Sequence, residues 1–115
     1  MTSTSPVVQL DSLAAVPCPC GQARRAFAQQ PGAVASVHLV EICAAAKVHY
    51  HRKTTEIYVV LEGEGEIELD GHRYPVRPLS AVYIAPGVRH RAIGDLRMIN
   101  IPVPAFDAAD EYVDI

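Results

Sequence analysis

The sequence has no excess of positive charge: ten Lys and Arg stand against thirteen Asp and Glu, for a formal net charge of −3 over 115 residues. Its basic residues are scattered apart from Arg24-Arg25 and Arg52-Lys53, so the charge footprint of a nucleic-acid binder is missing. Cysteine is sparse as well. Three cysteines, Cys18, Cys20 and Cys43, cannot all pair within one chain, which argues against a disulfide framework and for reduced thiols in a cytoplasmic protein. No second cysteine pair joins Cys18-Pro19-Cys20 to complete a zinc site, and plain thiols are expected there. Long apolar runs are absent too. The longest, residues 33–46, is broken by Ser36, His38 and Glu41 and is too short to span a bilayer. The first six residues lack the positive start and apolar stretch of a signal peptide. Neither nucleic acid nor membrane is therefore an expected partner. The length fits one domain with one core, large enough to be stable without disulfide staples.

Helical periodicity is scarce. Only residues 22–30 suggest a helix, short and weakly amphipathic, and no strand–helix–strand alternation appears. Strand patterns fill the rest. Residues 34–43 are rich in β-branched and aliphatic side chains, residues 57–61 form a second apolar run, and residues 66–70 alternate with period two. Asp70-Gly71 is a two-residue hairpin signal, because both residue types tolerate positive φ. Residues 72–76 form the return strand, with Pro75 favouring an edge or a bend. Residues 81–84 and 96–101 complete the set, with Pro86-Gly87 and Gly94-Asp95 as turns. Short strands punctuated by Gly and Pro predict an antiparallel sandwich or small barrel. The tail after Pro102 is acidic but carries Phe106 and Tyr112, which predicts docking rather than disorder.

Four residues stand out as a chemical set: His49, His51, Glu56 and His90. On a strand, His49 and His51 leave the same face. The polar residues 52–55 predict a reversal, after which Glu56 can face the two imidazoles. His90 follows the Pro86-Gly87 turn and can come in from a distant strand. Three imidazoles and one carboxylate suit a divalent first-row metal. Any one of these residues alone reads as an ordinary surface side chain, as His38 and His72 still do. Their joint spacing does not. Residues 49–63 read H-x-H-x4-E-x6-G, and residues 85–90 read x-P-G-x2-H.

These two motifs, in this order and with fifteen residues between Gly63 and Leu79, resemble those of a small single-domain cupin, over roughly residues 36–102. Cys43 and Leu79 stand where the motifs usually open with Gly; Ala85 replaces a common Pro and Gly94 a common Asn. None of the four departures falls on a ligand position. The resemblance implies an all-β fold, a double-stranded antiparallel β-barrel of the jelly-roll kind, with residues 34–103 as the barrel. Residues 1–33 would form an extension or edge segment, and 104–115 a packed acidic tail. It also implies His49, His51, Glu56 and His90 as ligands of one divalent metal per chain (Fe, Mn, Ni or Zn). Such a site favours a small, oxygen-rich, chelating metabolite and dioxygenase-type chemistry; the alternative is a metal-dependent binding or sensing module without turnover.

Strand parity adds further expectations. Tyr58 shares the face of Glu56, either as a group that acts near the metal or as barrel core. On the last strand, the barrel is lined either by Met98 and Asn100 or by Ile99 and Ile101. His38 reads as a hydrogen-bonded strand histidine, and no general acid or base is evident beyond the ligands and Tyr58. Ile57, Val59 and Leu61 are apolar on the opposite face, which a second copy of the chain in a homodimer would cover.

Overall fold

The computed structural model describes residues 5–43 and 46–114. Among the described residues the strands are β1 (Val16–Cys18), β2 (Gly21–Ala26), β3 (Val37–Ile42), β4 (Tyr50–His51), β5 (Thr55–Leu69), β6 (His72–Val76), β7 (Ala81–Ile84), β8 (His90–Val103) and β9 (Glu111–Tyr112). Leu10–Ser12 and Ala108–Asp110 are single 3-10 turns. Every strand pairing is antiparallel. The fold is all-β and of the jelly-roll kind, and among the described residues no helix is long and apolar enough to cross a membrane.

The main sheet runs β1-β2-β3-β8-β5-β6, with β7 also on β5, while β4 and β9 form a separate pair. The ladder does not close on itself among the described residues. It is joined to the small pair through a bridge in which the backbones of His49 and His90 exchange hydrogen bonds of 3.0 and 2.9 Å. Strands β5 and β8 form the spine, paired from Thr55↔Val103 to Leu69↔His90.

One irregularity in this ladder decides which side chains face inward. The register shifts between Val60 and Glu62, so Leu61 is an extra residue that reverses the alternation. Glu56, Tyr58 and Val60 are buried before it; Ile67 is buried after it. The two runs read separately at 57–61 and 66–70 are therefore one strand. Sequence alternation broke there because the inward face changes from even to odd positions. On β8 the inward face holds His90, Ala92, Leu96, Met98 and Asn100, which settles the choice for the Met98 face.

Gly94-Asp95 is not a turn. Both lie within β8, where Gly94 has φ +108° and pairs with Gly65. Residues 22–30 are not a helix either: β2 pairs with β1 on one side and β3 on the other. Ladder bonds to both neighbours outweigh a weak local helix preference. The Asp70-Gly71 hairpin does form, with φ of +48° and +83°, and β6 lies at the sheet edge with Pro75 opposite Glu66. Cys18 and Cys20 are disulfide-bonded, and Cys43 is free and exposed. That pairing corrects the expectation of plain thiols there and removes the ground it gave for a reducing compartment.

The C-terminal segment is docked. Tyr112 stacks on Tyr50 with ring centroids 5.4 Å apart, and Phe106 meets His38 edge-on at 5.4 Å. Asp110 accepts hydrogen bonds of 3.0 to 3.1 Å from the N–H groups of Arg52, Lys53 and Thr54 and from the Thr54 hydroxyl. A buried carboxylate thus shapes the turn between His51 and Glu56.

Candidate metal centre

Three separate elements bring four side chains to one end of the barrel interior. His49 and His51 flank Tyr50 at β4, Glu56 opens β5, and His90 opens β8. The backbone fixes their approach: the His49–His90 bridge holds two of them, and Gly87 N–H donates to the His51 carbonyl at 2.6 Å. The turn over 52–54, shaped by Asp110, swings Glu56 back toward the histidines. Exposures of 3, 4, 4 and 0% for His49, His51, Glu56 and His90 rule out the surface reading.

The geometry is that of a cluster. One ligand atom each from His49, His51 and Glu56 lie within 4.8 Å of one another, an arrangement that could hold a metal ion. His90 Nε2 is 2.9 Å and His51 Nδ1 3.3 Å from Glu56 Oε1. The His49 and His90 ring centroids are 4.3 Å apart.

Bonds around the cluster orient it. His49 Nδ1 donates to the Lys47 carbonyl at 3.0 Å and His90 Nδ1 to the Val88 carbonyl at 2.9 Å. Each bond places the ring proton on Nδ1 and leaves the Nε2 lone pair free. Asn100 Nδ2 donates to Glu56 Oε2 at 2.6 Å, which leaves Oε1 facing the imidazoles. His51 Nε2, Glu56 Oε1 and His90 Nε2 are buried yet make no directed hydrogen bond, despite the short His90–Glu56 contact. Buried polar atoms are rarely left so. The donor set of His49, His51 and Glu56 fits a cation, with His90 Nε2 2.9 Å from Glu56 Oε1 beside it, while His51 Nε2 faces Glu111.

The charges agree. Burial alone would raise the Glu56 pKa, but in the metal-free cluster a proton on His90 Nε2 facing Oε1, the charge of His51 and the Asn100 amide outweigh it and hold the carboxyl down at about 2. Burial lowers the pKa of His49, with His90 adding to the effect. His51 is raised instead, because Glu111 and Glu56 more than offset its burial. Glu111 Oε2 is 3.7 Å from His51 Nε2.

Tyr58 is buried beside the cluster, its ring 6.3 Å from that of His90. Burial, with Glu56 close by, raises its pKa well above 10, so the hydroxyl stays protonated and can donate but not act as a base. His38 points inward, is 2% exposed, and bonds Ser36 Oγ at 2.9 Å. His72 lies exposed at the hairpin, outside the cluster. Glu111 and Arg25, neither of them expected from the sequence as site residues, line the same small cavity as His38, His49, Glu56, Tyr58 and Asn100. Arg25 lay in the segment read as a helix, and Glu111 in an acidic tail, so only long-range pairing reveals them.

The cupin domain family profile matches residues 30–101. A protein of known structure from Planctomyces limnophilus is 46% identical, with a TM-score of 0.86 over 96% of this chain and 97% of that one. An uncharacterized Methanocaldococcus jannaschii protein is 32% identical over 79 residues, 65% of this chain; the match spans only 63% of the archaeal protein. The fold also matches the Streptomyces nucleoside dehydratase Pac13, with a TM-score of 0.80 at 18% identity over 95% of this chain and 90% of that one.

Proposed function

The chain belongs to the cupin family, and on that premise we propose a metalloprotein in which His49, His51, Glu56 and His90 hold one divalent transition metal (Fe, Mn, Ni or Zn) and a small oxygen-rich metabolite binds the same ion for dioxygenase-type chemistry. The observation that carries this reading is the buried grouping of His49, His51 and Glu56, whose ligand atoms lie within 4.8 Å of one another, with His90 Nε2 2.9 Å from Glu56 Oε1. The metal, when bound, supplies a Lewis-acidic centre for chelating oxygens and, if it is iron, a partner for O2.

The protein's own part is orientation and exclusion of water. The Lys47 and Val88 carbonyls hold the His49 and His90 tautomers. Asn100 fixes the Glu56 rotamer. Tyr58 offers a protonated hydroxyl in a dry setting, and Glu111 Oε2 stands 3.7 Å from His51 Nε2. One unit of net positive charge at a divalent ion with a single carboxylate ligand favours an anionic guest.

Glu56→Ala and His51→Ala should each lower metal content strongly while circular dichroism still reports a folded barrel. His72→Ala should keep it. Full stoichiometric metal in both cluster variants would overturn the ligand assignment. O2 uptake by the iron-loaded chain with hydroxy- or keto-acids tests the chemistry; tight binding without uptake would favour the module that binds without turnover.

We also propose that two copies pair through the outer face of β5 and β7. Ile57 and Val59 are only half-buried there, opposite Tyr83 and Ala81, and Tyr83 is 68% exposed.

A further inference from the structure

One wall of the cluster's cavity is polar and meets the proposed ligands only where Asn100 bonds Glu56 and Glu111 stands beside His51. Arg25 on β2, His38 on β3, Asn100 on β8 and Phe106 and Glu111 of the C-terminal segment line it. Two of its atoms are sealed from solvent without a partner: Arg25 Nε, a donor, and Asn100 Oδ1, an acceptor. Asn100 itself is 7% exposed, and its amide nitrogen is committed to Glu56. The guanidinium of Arg25 lies 4.1 Å from the centroid of the Phe106 ring; Glu111 of the same cavity bears on its charge but forms no direct ion pair with it among the described residues. A part-buried guanidinium with an unused donor is costly to keep unless something negative meets it.

Arg25 and Phe106 have a second side. They also line an open groove of about 780 Å³ between Leu13, Val16, Phe27 and Pro31. The inner cavity, at about 10 Å³, has room for roughly one water molecule. The stacked Arg25–Phe106 pair is therefore the partition between a groove large enough for a metabolite and the cluster behind it.

We propose that Arg25 is the anion anchor of the substrate, which enters along this groove past the Phe106 ring. This rests on the metal reading above and deepens it by naming the substrate class. The substrate is a small organic acid with a carboxylate at one end for Arg25, chelating oxygens at the other for the metal, and a hydroxyl or N–H that donates to Asn100 Oδ1. Arg25 positions the acid and leaves the metal ligands untouched.

The test uses the full-length chain loaded with Co²⁺, whose visible spectrum reports both metal uptake and a new oxygen ligand. Malate and 2-hydroxybutyrate share a chelating hydroxy-acid end and differ in the second carboxylate. Wild type should bind malate at least tenfold more tightly. Arg25→Gln should bring that ratio near one while cobalt stoichiometry stays unchanged, and Arg25→Lys, which keeps the charge but not the planar fork, should fall between. Phe106→Ala should speed malate association several-fold. No preference in wild type, or an undiminished preference in Arg25→Gln, overturns the anchor; an unchanged association rate in Phe106→Ala overturns the entry route. Failure of wild type to take up cobalt overturns the metal reading itself, and the anchor falls with it.

Discussion

His38 links the cavity to the pH dependence of folding. Ser36 is fully buried, and its hydroxyl oxygen accepts the Phe106 N–H at 2.9 Å. The same hydroxyl lies 2.9 Å from His38 Nε2 and has both a proton and a second lone pair to meet it. Burial, reinforced by the Arg25 charge, lowers the His38 pKa from 6.5 to about 4. Between those values the unfolded chain binds a proton that the folded chain does not. The contribution is complete above pH 6.5 and is lost as pH falls toward 4, by at most about 3 kcal/mol. Urea unfolding at pH 7 and pH 4.5 should show a smaller drop in stability for His38→Gln than for wild type; equal drops would contradict this. At this scale the four cluster residues were legible in the sequence, because their spacing is local to two short motifs. Asp110, Arg25 and Glu111 were not. Their roles arise from pairings such as Thr54 with Asp110 and His51 with Glu111, which join segments far apart in the chain.

Elements are placed by a few backbone positions that sequence patterns mark only in part. Gly63 has φ +90°, and a Cβ there would run into the Asp95 carbonyl oxygen of β8. Gly63→Ala should therefore cost about 2 kcal/mol or more, since neither the dihedral nor the close strand approach can relax cheaply. Leu79 presents the opposite case. It stands where the second motif usually has Gly, adopts φ +74°, and is 83% exposed. Leu79→Gly relieves a left-handed residue without losing packing, and should be neutral or stabilising by up to about 1 kcal/mol. Chemical denaturation of both variants checks the pair, and the account fails at this scale if the order is reversed. The hairpin at Asp70-Gly71 and the strands β6 and β7 were readable because turn chemistry and alternation agree there. The unity of β5 was hidden by Leu61, whose extra place in the ladder switches the inward face. Strand β2 was hidden because nothing local distinguishes residues 22–26 from a weak helix.

At the scale of the whole molecule, the β5–β8 spine sets both the core and the site. Its inward face carries Val60, Ile67, Leu96 and Met98 in the middle of the barrel and Glu56, His90 and Asn100 around the cluster. The same ladder leaves an outer face on β5 and β7 that is apolar and partly open. Sedimentation should give the mass of two chains, and Tyr83→Lys should shift it to one; a wild-type mass of one chain would contradict the proposed pairing. The all-β class was legible from strand density and the lack of helical period. The path of the sheet was not, because the docking of residues 104–114 and the joining of β4 to β9 depend on contacts with no local signature.

Whether the buried cluster holds a metal is decided by elemental analysis of the untagged protein, purified without added metal or chelator. About one iron, manganese, nickel or zinc per chain is the predicted result. No metal in the purified chain and no uptake on reconstitution with each of these ions would contradict it.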